Sequence, residues 1–437
     1  MSSIPGGQVL RKKANFGTSE LLFSLPDPIA DEVKDGYELQ RVFDRWRLVP
    51  YATFSRSTGQ RLVDFYLMLA KLSPTHSSCI EKSVTYAFGS KAQVVLVEDD
   101  DFATSQEVAV LSDVQSAAYR DAIRSTIDFN TNLRNFHHLL AWNLKSTGNA
   151  WVLMTSSEVA SERKVSLRCL RQDKVLYINT KEGEMPMAAV SAIWSEEFLR
   201  NNPPLVVPLY PNFSEKDGVI YSLFHLKNGD YKWYGRPDSQ GADIYKFREV
   251  QDALFQARES ANGFTGKLII EMEDDQQAPV LDEQGAADDN FNTFAERIIE
   301  NFTNRGDDPM SVFLTTRPYG SKPMFVYQVK PNTSESWFKE MGQIAKAHII
   351  AAHGLTLRFM GEDVANGFSA DAYIADYVMN VEPVISDLRK TVLSFTNAII
   401  NAVWQLIGRQ DLTQYALKFA SPIESQVELY KNSRAQL

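Results

Sequence analysis

The sequence predicts an α+β chain assembled from several parts, and three observations carry that expectation. Between residues 91 and 227, short apolar runs of strand-like composition recur: KAQVVLV, NAWVLM, VSLRCL, KVLYIN and VIYSLFHLK. From about Asp243 onward the apolar residues take up the spacing of long helices. One small strand, helix and strand stretch, within residues 264–331, interrupts those helices. A length of 437 residues suits two or three domains or one extended multi-part subunit, and 44% hydrophobic residues suffice for a core. Wholesale disorder is excluded.

Taken in order, residues 1–60 are rich in turn formers and are expected to form a loose arm. Leu62, Phe65, Tyr66 and Leu69 mark a helix, and Ser73-Pro74 ends it and opens the next, which Gly89 closes. A helix through Phe136, Leu140 and Leu144 stops at Gly148. The four prolines in NNPPLVVPLYPNF, residues 201–213, exclude a central strand or a helix there. VIYSLFHLK then runs into HLKNGDYKWYGRPDS, which could be a catalytic loop, an aromatic ligand patch or a join between elements.

Beyond it, Ile244, Phe247 and Leu254 line one helix that stops at Asn262-Gly263. Asn332 and Glu335 have the spacing of a capping box for a helix through Trp337, Met341, Ile344 and His348, ending at Gly354. Residues 355–370 lack periodicity and read as a loop. Glu382-Pro383 opens a long helix whose stripe is Val384, Leu388, Val392, Phe395, Ile399 and Val403.

The formal charge, 45 − 55 = −10, disfavours a protein that grips nucleic acid over its whole surface. Two cysteines, Cys79 and Cys169, cannot build a disulfide framework or a thiolate metal site. MSSIPGGQVLRKK leads into no apolar run, and no window reaches the ~18 apolar residues of a membrane span. A cytosolic, soluble subunit with no membrane partner is the expectation. GFTGK, residues 263–267, fails as a phosphate loop, because Ala261 stands where glycine is needed and Leu268 where Ser or Thr is needed. His137 and His138 are adjacent, which puts them about 100° apart on a helix, and His76, His225, His348 and His353 are scattered. The acidic run from Glu271 to Asp289 lacks the order of a calcium loop and reads as solvated. No catalytic, cofactor-binding or metal-ligating set is predicted, and no cofactor.

Six segments, in order, resemble the portal proteins of tailed double-stranded DNA bacteriophages over roughly residues 60–410. They are LSPTHSSCIEKSVTYAFGS, STGNAWVLM, VIYSLFHLK with WYGRPDS, SANGFTGKLII, AKAHIIAAHGLTLRFMG and VEPVISDLRKTV. Leu355-Thr356-Leu357 departs from the Val-Pro-Pro that many relatives carry there.

The resemblance implies a portal-like subunit: an N-terminal arm (1–60), an α/β wing (61–240), a two-helix stem (241–263 and 332–353), a small αβ clip (264–331), a tunnel loop (354–372), a long wing or crown helix (373–410) and a C-terminal segment (411–437). It implies a homo-oligomer of twelve subunits at one capsid vertex of the virion, assembled in the host cytoplasm. Its implied partners are terminase, a head-tail adaptor, the major capsid protein and the double-stranded DNA that passes through. Arg358, Gly361, Glu362, Asp363, Gly367 and Asp371 would face that DNA. Tyr234, Gly235 and Pro237 would form the hinge between wing and stem, with glycine giving a free backbone. Val384, Leu388, Val392 and Phe395 would be buried within the wing or against a neighbour. An adaptor ring without a tunnel loop is the runner-up, and a nucleic-acid-processing enzyme comes third.

Overall fold

The computed structural model describes residues 45–49, 51, 62–89, 92–97, 107–110, 113–159, 162–181, 184–262, 269–274, 313–318, 335–362 and 370–419. In chain order its elements are β1 (Leu48–Val49), α1 (Leu62–Leu72), α2 (Pro74–Phe88), β2 (Ala92–Val97), β3 (Glu107–Val110), α3 (Asp113–Thr126), β4 (Ile127–Asp128) and α4 (Leu133–Thr147). There follow β5 (Asn149–Val159), β6 (Glu162–Leu170), β7 (Val175–Ile178), β8 (Met187–Val190), α5 (Glu196–Asn201), β9 (Leu205–Pro208), β10 (Ser214–Lys216) and β11 (Val219–Lys227). The remainder are α6 (Asp243–Asn262), β12 (Ile269–Asp274), β13 (Phe313–Pro318), α7 (Glu335–Ala352), α8 (Leu357–Met360), α9 (Ala370–Asp376), α10 (Glu382–Leu406) and β14 (Tyr415–Phe419). The architecture is α+β.

The chain forms two compact units. One runs to Asp243 and resumes at Ile349; the other spans Ile244–His348. In the first, β5 lies at the centre of a five-stranded sheet ordered β10-β11-β5-β6-β4, antiparallel except for the β4 and β6 pair. A second sheet, β1-β7-β8-β9, is antiparallel throughout, and a third is ordered β14-β2-β3. The proline-rich 201–213 stretch does supply a strand, β9, at a sheet edge, where a missing N–H costs no ladder bond.

One core joins α2, α4, β5, β6 and α10 through Ile80, Val84, Leu140, Val152, Leu167, Val392 and Trp404. Leu388 and Val392 of the expected apolar stripe are buried in it; Phe395 packs against it part-buried, and Val384 lies against Gly354. Capping follows local chemistry. Ser73 accepts the His76 N–H at the start of α2, with Pro74 in the first turn, and Asn132 accepts the Asn135 N–H at the start of α4.

In the second unit β12 and β13 pair in parallel between the two long helices α6 and α7. Tyr245 and His348 stack across those helices with ring centroids 4.4 Å apart. The helix expected around Phe291–Phe302, the strand MFVYQV and the box residue Asn332 lie outside the described residues.

Three boundaries differ from the sequence reading. Leu48, Val49 and Tyr51 belong to the first unit, since β1 pairs with β7 and Tyr51 is buried, so the arm does not extend to residue 60. Residues 415–419 pair with β2, and the Asn397 side chain of α10 bonds both the N–H and the carbonyl of Leu417 on the other side. Glu382-Pro383 does open α10, with proline in its first turn, but the chain is already helical before it. The helix begins at Ala370 and passes through a π-turn, Tyr377–Val381, in which the Glu382 N–H reaches the Tyr377 carbonyl. Proline cannot donate and crowds the carbonyl four residues back, and a wider turn before it relieves both problems.

Leu388→Ala is expected to lower stability by about 2–5 kcal/mol in urea titrations, as for other buried leucines. Asp387→Ala, at the exposed neighbouring position, should stay within about 0.5 kcal/mol of the parent. Similar losses for both would show that the α10 stripe is not core.

Candidate functional site

The segment Tyr234-Gly235-Arg236-Pro237 lies in chain order between β11 and α6. It crosses the α4-to-β5 junction at backbone contact. A Cβ on Gly235 would fall 2.5 Å from the Asn228 nitrogen and closer still to the Gly148 carbonyl oxygen; a Cβ on Gly148 would fall 2.5 Å from the Arg236 Cα. Gly148 also holds φ at +74° as the C-cap of α4, its N–H bonded to the Leu144 carbonyl. Gly235 serves close approach here, not the free backbone the sequence suggested: its φ is not in the left-handed region.

Asn149, the first residue of β5, locks the crossing. Its Oδ1 accepts the Gly235 N–H at 2.8 Å and the His225 Nε2–H at 3.0 Å. Its Nδ2 lies 2.8 Å from the Thr147 carbonyl, 3.0 Å from that of Gly235 and 3.2 Å from the Tyr51 hydroxyl. The Tyr51 hydroxyl in turn reaches the Thr147 and Gly235 carbonyls at 2.6 and 2.5 Å.

With Nε2 donating, His225 Nδ1 accepts from the Tyr177 hydroxyl at 2.7 Å, so the network needs the neutral ring. Burial, and then the nearby Lys227, push the His225 pKa well below its ordinary value, in agreement. The ring stacks on Trp151, centroids 3.6 Å apart and planes nearly parallel, and Trp151 donates Nε1–H to Gln172 at 2.6 Å. The Tyr234 hydroxyl donates to the Val49 carbonyl and accepts the Tyr177 N–H, tying β1 and β7 to the same point. Lys145, 3% exposed, meets Asp238 at 2.5 Å just beyond Pro237. These bonds make a structural fastening.

The residues expected to form one loop are divided. Thr356 caps α8 through the Phe359 N–H, and its hydroxyl bonds Asp376. Gly361 is the left-handed C-cap of α8. Arg358 donates to the Ala372 carbonyl at 3.3 Å, and Lys82 reaches the Phe359 and Met360 carbonyls at 3.1 and 2.9 Å. Residues 357–360 are therefore a fastened helical turn. The Glu362 N–H bonds the Leu357 carbonyl, and Asp371 is exposed on α9. Asp363 and Gly367 lie outside the described residues.

The histidines that looked scattered are partly brought together. His76 Nδ1 and His353 Nε2 are 2.7 Å apart and buried, joined across 277 positions. No spacing in the sequence signals that pair. Among the described residues no three His, Cys, Asp or Glu side chains gather to hold a metal, and no helix is long and apolar enough to cross a membrane. His137 and His138 diverge as expected: His137 is buried against Phe88 and Phe419, and His138 faces Glu81 at 3.6 Å.

No protein-family model matches the chain, and no curated protein matches it in sequence. Among solved structures it is similar to a chain in the neck of an empty gene transfer agent (GTA) particle, resolved with six-fold symmetry. That likeness has a TM-score of 0.49 at 14% identity and covers 92% of this chain and 94% of the other. It is also similar to a chain of the native GTA virion, with a TM-score of 0.47 at 14% identity over 92% and 93%. A third likeness is to an HK97-family phage portal protein from Corynebacterium diphtheriae, with a TM-score of 0.36 at 13% identity over 82% and 96%. No residue role is carried across at such scores.

Gly235→Ala is expected to destabilise the protein by about 3 kcal/mol, the upper end for overpacking a closed site. Gly241→Ala, where a Cβ meets nothing within 4 Å, should be neutral or stabilising by about 0.4–1 kcal/mol. Equal effects in denaturant titrations would dismiss the closed crossing. For His137, burial lowers the pKa to about 4, with a smaller opposing effect from the Leu133 carbonyl. The unfolded chain takes up this proton first as pH falls, so stability is full above pH ~6.5 and is lost toward pH ~4. Between pH 7 and pH 4.5 the loss from this group is about 2 kcal/mol. His137→Phe should lose that much less over the same interval; an unchanged pH dependence would contradict the assignment.

Proposed function

We propose that this chain is a portal subunit: one member of a ring, twelve-fold by resemblance, at a single capsid vertex, through whose channel DNA is packaged and ejected. One observation supports the reading above others. Between the strands and the long helix of a single α/β body, the chain makes an excursion bounded by two long helices, α6 and α7, with a small parallel strand pair between them. The six resembling segments fall along that course in the same order. On this reading α6 and α7 are the stem, and residues 264–331 are the clip that meets terminase during packaging and a head-tail adaptor afterwards. The segment between α8 and α9 is the part that faces DNA, with Arg358, Glu362 and Asp371 near it.

The role is mechanical. A channel must pass DNA without holding it, and an acidic subunit suits that task. Twelve copies carry 12 × −10, a formal charge of about −120, which repels phosphate at short range. Screening over ~8–10 Å keeps the repulsion local. A basic lumen would release counterions and bind firmly. A ring requires a heterologous contact, in which one patch meets a different patch on the next copy.

The test is to image the purified protein by electron microscopy down and across its axis. Rings with a central channel and a narrowed stem in side view are expected. Particles that stay monomeric by light scattering at all concentrations, or flat rings without a stem, would overturn the proposal.

A further inference from the structure

An exposed aromatic pair and an open cleft lie at opposite edges of the five-stranded sheet, on the same side of it. At the β10 edge, Tyr210 and Phe213 are each 40% exposed, with ring centroids 6.1 Å apart and planes nearly perpendicular. Tyr210 also stacks on the buried Phe224 of β11 at 4.5 Å, which holds the exposed rings in place. Phe224 belongs to the side of the sheet that packs on α2 and α4, since its register partner Val152 is in that core. Glu215, paired with Ile220, points to that side too, while Lys216 points to the other. Asp217 follows in the turn, and both carboxylates are exposed.

At the β4 edge lies an open cleft of about 980 Å³. Its floor is apolar, with Ile123, Ile127, Leu133 and Phe419, and its rim carries Arg120, Arg124 and Arg134 against one carboxylate, Asp128. Ile127 pairs with Val165, a member of the same core, so the floor is on the same side of the sheet as Phe224. Asp128 is already engaged, since Oδ1 accepts the Asn130 N–H at 2.9 Å. Arg124 faces Asp121 at 3.8 Å with both side chains more than 70% exposed, which makes a weak pair. The rim therefore keeps positive charge to offer a partner.

A stiff aromatic knob flanked by carboxylates complements an apolar hollow ringed by arginines. The two cannot meet within one chain, because the order β10-β11-β5-β6-β4 puts four strand spacings, roughly 19 Å, between those edges. A cyclic ring needs two different patches on opposite flanks of one body, and the sheet supplies them. We propose that the Tyr210 and Phe213 rings of one copy seat in the β4-edge cleft of the next. Buried aromatic anchors carry the affinity of this contact. Glu215 and Asp217 face the rim arginines, which fixes the register and excludes the reversed pairing. The contact rests on the ring reading above, and its test separates the two.

Arg124→Cys with Glu215→Cys in one chain should give, on mild oxidation, a ladder of covalent multimers on a non-reducing gel. Either substitution alone should give none, and a mixture of the two single variants should stop at dimers, because the contact joins unlike patches. The chain's own thiols are sheltered: Cys79 is fully buried, and burial pushes the Cys169 thiol up to about 12. Phe213→Ala should raise the concentration for half-assembly, followed by light scattering, about tenfold or more, the scale of a lost aromatic anchor. Arg124→Glu should raise it roughly fivefold, the scale of an exposed ion pair turned repulsive, and adding Glu215→Arg should restore it. Rings that form without the ladder, a ladder from either single variant alone, or no rescue by the second reversal would overturn this contact and leave the ring standing. Copies that stay monomeric at all concentrations would overturn both.

Discussion

No side chain fits between residues 148 and 235, and the first unit is arranged around that fact. Two backbone segments, one ending α4 and one leaving β11, touch through glycines; the Asn228 N–H bonds the Gly148 carbonyl directly at 2.9 Å, and the Asn149 side chain supplies the bonds to Gly235. Buried polar groups must be satisfied or the fold loses about 1–3 kcal/mol for each. Here the amide of one asparagine serves Gly235, Thr147, Tyr51 and His225 together. Because Asn149 also begins the central strand β5, the position of the strand and the exit path toward α6 are set by the same residue. The neutral His225 and its Trp151 stack complete the network without a buried charge.

A second fastening holds the chain where it rejoins the first unit after Ile349, and helix α2 is its post. The Arg389 guanidinium of α10 donates to the Ala87 and Tyr86 carbonyls at the C-terminal end of α2, where a cation is favoured, and it meets Glu382 at 3.3 Å. Glu382 also accepts from the Tyr377 hydroxyl at the π-turn. Lys82 holds the carbonyls of α8, and His76 holds His353. Four sites along one helix thus anchor returning segments that lie nearly 300 positions away in sequence. A protein that must transmit force around a ring would gain from such fixed ends, which agrees with the mechanical role proposed.

Much of the local order was legible in the residues. Ser73-Pro74, Gly148 and Gly354 mark helix ends because capping and left-handed turns depend on a few neighbouring atoms. Apolar spacing located α1, α2, α4, α6, α7 and seven of the fourteen described strands for the same reason. The long-range network was not legible. Asn149 reads as a strand entry, Tyr51 as part of an arm, and His76 and His353 as unrelated, since their partners are brought together only by the tertiary fold. The π-turn was missed because Pro383 after an acidic residue has the same signature at a helix start as after a widened turn. Gly235 was visible as special, but the reason, room for backbone and not freedom of backbone, needs the opposing chain.

The claim that most of this depends on is that the 148–235 crossing is closed and rigid. Native-state hydrogen exchange of the Gly235 amide tests it directly, because that N–H is held only by the Asn149 side chain at 2.8 Å. The account predicts that it exchanges as slowly as the amides of β5, through opening of the whole unit. Exchange of Gly235 within minutes while the β5 amides stay protected would show a loose hinge and contradict it.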